Sequence, residues 1–268
     1  MKNFIHNSTL EVPKILAEFC WRQGIELQNT KHLVLHHVTR AFSKIPYENL
    51  TKILHASQNS NKERRRRLPS EVLADYYRFG TGGTCFSLTW TLLHLIREIG
   101  FNAEPILADR HYGPDTHCAL LVWIDDKPHL LDPGYLLIEP VALTQTWIAT
   151  SIQQIHLKAD DICGKIQLFT KYAGQLKYRL TYKTNPVDAS QFLQAWDHSF
   201  NFDMMAYPVI SIIKEDTQYY LQKTRLLIRK KSDETILHVD SQELPVYIQR
   251  YFAIEPELAW KAIHQLKK

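Results

Sequence analysis

The apolar positions change period partway along the chain. Over residues 12–22 they recur at helical spacing, with Pro13 in the first turn, where its missing N–H is harmless, and Gly24 beyond the end. Thr30 is placed to cap a second helix carrying Leu33, Leu35, Val38 and Phe42. Proline disfavours helical backbone at the residue before it, so Ile45-Pro46 predicts a turn. A further periodic stretch runs from Ser70 to Tyr77 and stops at Gly80, and another runs from Phe86 to Ile99.

After Gly100 the pattern is that of strands. Residues 101–108 read as a short strand and 109–116 as a turn-rich loop. Residues 117–124 are a near-continuous apolar run, the mark of a buried strand. Asp125-Asp126-Lys127-Pro128 reads as a hairpin turn, followed by a return strand from His129 to Asp132 that Pro133-Gly134 breaks. Residues 152–157, 165–172 and 176–184 continue an antiparallel sheet, with a turn at Ala173-Gly174. Asn185-Pro186 marks a boundary. Beyond it a mixed helical segment (189–205), four short strands (209–213, 218–221, 225–229 and 235–239) and two amphipathic helices (245–252 and 255–266) close the chain. The expected fold class is α+β, with a helical bundle over 1–90, an antiparallel β-barrel over 91–185 and an α/β unit over 186–268.

Composition narrows this further. With 268 residues, 45% hydrophobic and 22% charged, the chain can bury a sizeable core. A net charge of +4 is too weak to argue for nucleic acid. Arg64-Arg65-Arg66-Arg67 reads as a solvated loop, because no aromatic residue interleaves with it and no second basic stretch supports it. No apolar run approaches the roughly 18 residues of a membrane span, and Met1 to Asn7 lacks the apolar core of a signal peptide. The expectation is a cytoplasmic protein with no membrane or nucleic-acid partner. Cys20, Cys85, Cys118 and Cys163 are scattered without a CxxC pair, which points to reduced thiols and to no metal site.

The stretch Gly80-Thr81-Gly82-Gly83-Thr84-Cys85-Phe86 joins these observations to chemistry. A glycine-rich turn runs into a cysteine, and the cysteine into a helix. A thiol there meets the positive end of the helix dipole and unpaired N–H groups, and both favour the nucleophilic thiolate. A buried helix-packing cysteine fits the same pattern. A cysteine nucleophile needs a base and a group that orients the base. His117 opens the buried strand, and Asp132 ends its hairpin partner. Pairing across the turn brings both toward one end of the sheet, although His117 lies further from the turn than Asp132, so a slip or a folded-back loop is needed. A core histidine and a turn aspartate remain alternative readings of the two residues taken singly.

Ile45-Pro46-Tyr47-Glu48-Asn49-Leu50, Gly82-Gly83-Thr84-Cys85-Phe86, His117 at the head of an apolar strand, and Leu131-Asp132-Pro133-Gly134-Tyr135 occur in the order and spacing of the arylamine N-acetyltransferases. The sequence resembles that family over roughly residues 10–140 and follows it beyond only in layout. The resemblance implies a helical bundle, a β-barrel and an α/β lid around a catalytic core related to papain and transglutaminase. It implies a Cys85, His117 and Asp132 triad and no permanently bound cofactor, with acyl-CoA, acetyl-CoA first, as cosubstrate and a small amine as acceptor. Tyr47 and Phe86 are then candidates to wall the acceptor pocket, and Asp109, Arg110, His111 and Tyr112 form a loop near it. Strand alternation turns Cys118 to the face opposite His117.

The family motif has Arg, Glu, Asn and Gly where this chain has Thr81, Ser87, Thr89 and Leu136. Those departures lie near the path of an acyl-CoA. They leave open an amide synthase or cysteine hydrolase acting on a carrier-bound or peptide acyl group, with Arg64 to Arg67 docking an acyl-carrier protein, and a silent homologue that kept the fold.

Overall fold

The structure, a computed structural model, describes residues 14–135, 137–160 and 164–266. Val12, Pro13, Leu136 and Cys163 lie outside the described residues. The helical part comprises α1 (Ile15–Gln23), α2 (Lys31–Phe42), α3 (Leu50–Gln58), α4 (Lys62–Arg65), α5 (Pro69–Phe79) and α6 (Cys85–Ile99), with a two-residue strand β1 (Tyr47–Glu48) between α2 and α3. Thr30 caps α2 by accepting from the Leu33 N–H, and Gly24 ends α1 in the left-handed conformation. Among the described residues no helix is long and apolar enough to cross a membrane.

Eight strands follow: β2 (Asn102–Arg110), β3 (Gly113–Ile124), β4 (Lys127–Asp132), β5 (Leu137–Ala142), β6 (Trp147–Ala149), β7 (Gln154–Asp160), β8 (Lys165–Tyr172) and β9 (Gln175–Lys183). They form one antiparallel sheet in the order β5-β4-β3-β2-β9-β8-β7-β6. The chain then passes through α7 (Ala189–His198) and two short 3-10 turns to β10 (Val209–Lys214), β11 (Thr217–Gln222), β12 (Arg225–Arg229) and β13 (Glu234–His238). Helices α8 (Leu244–Phe252) and α9 (Pro256–Gln265) complete it. The second sheet runs β1-β10-β11-β12-β13, so Tyr47 and Glu48 are sewn to Ser211 and Ile210, far along the chain.

Helix α6 organises the larger core. Leu88, Leu92, Leu95 and Ile96 are buried against α1, α2 and α5 on one side and β2 and β3 on the other. Each such leucine stabilises by about 1.5–3 kcal/mol relative to an exposed one. Strand β3 divides its side chains by parity. Cys118, Leu120 and Val122 face the helices, whereas Ala119 and Leu121 face a second core with Leu130 and Tyr182.

Two local expectations change. Residues 109–116 are not a loop: β2 runs on to Arg110 and β3 resumes at Gly113, leaving His111-Tyr112 as the turn. The polar residues that suggested a loop pair across strands instead, with Lys183 Nζ 2.8 Å from Asp109 and 2.7 Å from Asp115. Strands β5 and β6 lie where no strand is expected. Strand β5 holds Pro140, which is tolerated because β5 is an edge strand.

Candidate active site

Cys85 is the first residue of α6, follows Thr84 and is 5% exposed. Two contacts fix the loop that delivers it. The Glu48 N–H donates to the Gly83 carbonyl at 2.9 Å, and the Gly83 N–H donates back to the Pro46 carbonyl at 3.4 Å. A Cβ on Gly82 would run into the Pro46 carbonyl, so only glycine allows this approach. The Ile45–Leu50 stretch therefore acts as a cradle for the nucleophile loop. Its Asn49 donates to the carbonyls of Met204 (2.6 Å) and Tyr207 (2.8 Å) and accepts from the Val209 N–H (2.8 Å), holding the C-terminal half in place.

The hairpin needs no slip. Asp125 and Asp126 both have positive φ (48° and 59°), which makes a two-residue turn, and the register runs Ile124↔Lys127 to Leu120↔Leu131. One step further sets Asp132 opposite Ala119, on the same face as His117, two residues along. The imidazole closes that diagonal: His117 Nε2 lies 2.6 Å from Asp132 Oδ2, with both side chains fully buried. Asp132 Oδ1 accepts the Tyr135 N–H at 2.9 Å. Tyr182 adds a bond that the sequence gives no sign of, its hydroxyl donating to Asp132 Oδ2 at 2.6 Å. It reaches across from β9 because Ala108 is paired with both Tyr182 and His117, and alanine leaves the space between them open.

Cys118 and His117 both act on the Cys85 thiol. Cys118, with the charges of His117 and Arg110, outweighs burial and holds the Cys85 thiol well below the ordinary thiol range. Cys118 does face away from the His117 side of β3, but that is the side packed against α6, whose first residue is Cys85. Burial disfavours the imidazolium, but the Asp132 carboxylate and then Cys85 override it and raise His117 above the ordinary histidine value; Arg110 opposes them. Gly134 closes the group. A Cβ there would lie 2.9 Å from Cys85 Cβ and 3.0 Å from His117 Cε1.

A cleft of about 1760 Å³ opens beside these residues, lined by Tyr47, Arg110, Tyr112, Gly134 and Tyr135 among others. Phe86 is not on its wall. Its ring is fully buried 5.5 Å from Phe192 and stacked 6.3 Å from Trp196, because α6 turns that position toward α7.

Nor is the Arg64–Arg67 run a solvated loop. Arg66 makes a bidentate pair with Asp197 at 2.6 and 2.7 Å. Arg67 is 3% exposed in its side chain and lies 3.9 Å from fully buried Glu48. It also donates to the Gly82 carbonyl, to Thr51 Oγ1 (2.9 Å) and to Asp75 (2.7 Å). Thr81 stands where the resembled motif has arginine, and a guanidinium reaches the nucleophile loop from Arg67. The signal was the length of the run, but burial of its last member depends on α3 and α5 folding around it.

Comparison with known proteins shows the family and the fold. The family model for N-acetyltransferases matches residues 26–260. A search of curated proteins finds no match. Among solved structures, the arylamine N-acetyltransferase of Mycobacterium abscessus superposes with a TM-score of 0.78 at 18% identity, covering 94% of this chain and 95% of that one. Those of M. smegmatis (TM-score 0.74, 19% identity, 94% and 97% covered) and Salmonella typhimurium (0.74, 18%, 93% and 97%) share the fold in the same way.

Proposed function

The chain belongs to the arylamine N-acetyltransferase family, and on that premise we propose that it moves an acyl group, acetyl first, from coenzyme A to an arylamine or related amine through a thioester on Cys85. The observation that carries the reading is the closed set of contacts from Tyr182 through Asp132 and His117 to Cys85 at the start of α6.

In the first half-reaction Cys85 gives its proton to His117, and the thiolate attacks the thioester carbonyl. With Asp132 on Nε2, the nitrogen left to take that proton is Nδ1. The carbonyl oxygen gathers negative charge at the N-terminus of α6, where first-turn N–H groups have no intrahelical partner. Collapse forms acyl-Cys85 and expels the donor thiol, which takes the proton back from His117. In the second half an amine attacks acyl-Cys85, loses its proton to His117 and releases the Cys85 thiolate. Asp132 orients the imidazole and balances its charge throughout. The acceptor enters by the cleft beside Tyr47 and Tyr112.

Of the other readings, docking of a carrier protein on Arg64–Arg67 loses its support, because Arg66 and Arg67 are committed inside the fold. The test is intact-protein mass after mixing with acetyl-CoA, beside a Cys85→Ala control. An acetyl adduct on the native protein alone is expected. No adduct, together with a Cys85 that alkylates no faster than a free thiol, would turn the assignment to a silent scaffold.

A further inference from the structure

Arg110, like Arg179 and Arg225, lines the cleft without a carboxylate partner among the described residues. Arg66, Arg67 and Arg229 each pair with a carboxylate, of Asp197, Asp75 and Glu234 respectively. Arg110 does not. The acidic groups that face it are the phenols of Tyr112, Tyr47 and Tyr135 and the Cys85 thiol, and no ion pair joins it to a carboxylate among the described residues. Its Nε is wholly buried without a hydrogen-bond partner. The residue is half-buried, and an anion entering the cleft would give its unpaired, buried Nε an acceptor.

Its position says what that is. Arg110 Nη2 lies 3.0 Å from His117 Nδ1, the nitrogen that must take the proton of Cys85. Arg110 is held there by a bulge in β2 between Ala108 and Arg110, and its backbone N–H donates to Thr116 Oγ1 at 3.1 Å. The guanidinium thus stands at the imidazole that serves Cys85, and it lines the cleft by which substrates arrive. When Nδ1 takes the proton, two N–H donors face each other, and Arg110 must turn to another acceptor. Arg presents a planar fork that suits a carboxylate.

We propose that Arg110 is the seat for a carboxylate carried on the acyl group, so that Cys85 takes the half-thioester of a short dicarboxylic acid in preference to an uncharged acyl thioester. This rests on the reading of Cys85 as the acyl acceptor. The free carboxylate is a spectator: the new C–S bond forms at the thioester carbonyl, the coenzyme A thiol leaves with the proton from His117, and the carboxylate stays on Arg110.

The experiment compares alkylation of Cys85 by iodoacetate and iodoacetamide, which form the same S–C bond and release the same iodide but differ in charge. The native protein is expected to favour iodoacetate, against the order seen for free cysteine. Arg110→Gln is expected to lower the iodoacetate-to-iodoacetamide ratio by about tenfold or more, and Arg110→Lys to keep part of the preference. Single-turnover acylation by malonyl-CoA and succinyl-CoA beside acetyl-CoA should follow the same order in the native protein and invert in Arg110→Gln. A native ratio equal to that of free cysteine overturns the seat without any variant, as does a preference that survives Arg110→Gln. The iodoacetamide rate alone reports on Cys85 as nucleophile, so a failed seat and a failed triad are told apart.

Discussion

Tyr182 and His117 bind the same oxygen of Asp132, each at 2.6 Å, from strands that the chain reaches about fifty residues apart in the case of the tyrosine. Two donors on one buried oxygen fix the carboxylate in a single orientation, and that orientation sets the imidazole. Tyr182→Phe should lower stability by about 1.5–3 kcal/mol, the range for a lost hydrogen bond to a charged group, measured by chemical denaturation. It should leave acyl transfer within about tenfold of native, because the His117 contact survives.

Asp132→Asn is expected to do the reverse. An amide keeps the shape but removes the charge and can hold the imidazole in the wrong tautomer, so kcat should fall by about a hundredfold or more while the fold is retained. Circular dichroism with single-turnover acylation separates the two effects, and a native rate in Asp132→Asn would remove Asp132 from the mechanism.

The titration of Cys85 gives a pH test. Its folded-state value is depressed, so the thiolate persists below the ordinary thiol value of ~8.5 and protonates only as the pH falls through the lowered value. The rate of iodoacetamide alkylation should therefore stay nearly flat below the ordinary thiol value and fall only as the pH drops through the lowered one. Cys118→Ala removes the action of Cys118 and should move that fall to higher pH.

Arg67 and Arg64 stand in one run and should behave oppositely. Arg67→Met leaves Glu48 fully buried without its guanidinium and should cost about 3–5 kcal/mol. Arg64 is exposed, and Arg64→Ala should stay within about 0.5 kcal/mol of native. Urea unfolding of both decides whether the run is structural, and equal small effects would return it to solvent.

Gly134→Ala sets a methyl against Cys85 and His117 at once, at 2.9 and 3.0 Å. Relief has to come from the two side chains or from the Pro133-Gly134 turn. A loss of about 1–3 kcal/mol is expected, with slower alkylation of Cys85, since the pair is forced apart. A Gly134→Ala protein that alkylates at the native rate would show that the turn yields instead.

What the sequence determined by itself is local. Glycine-rich backbone before an apolar helical period puts Cys85 at a helix start, because turn and helix are both short-range. A buried apolar run beside an Asp-Asp turn makes the hairpin that carries His117 and Asp132, and the side-chain parity of strands puts them on one face. The order of helices, sheet and α/β end is readable for the same reason. The tertiary structure alone decided what completes the site. Tyr182 arrives because β9 pairs with β2 rather than with its chain neighbours only, and Ala108 between them is small. Arg67 is buried because α3 and α5 close over one residue of a run whose composition reads as solvent-facing. Residues 109–110 and 113–116 extend the two strands because Asp109 and Asp115 meet Lys183 across the sheet. Arg110 stands at His117 Nδ1 because a bulge re-aims it. In each case the partner is remote in sequence, and a pattern read along the chain holds no record of which remote residue it will meet.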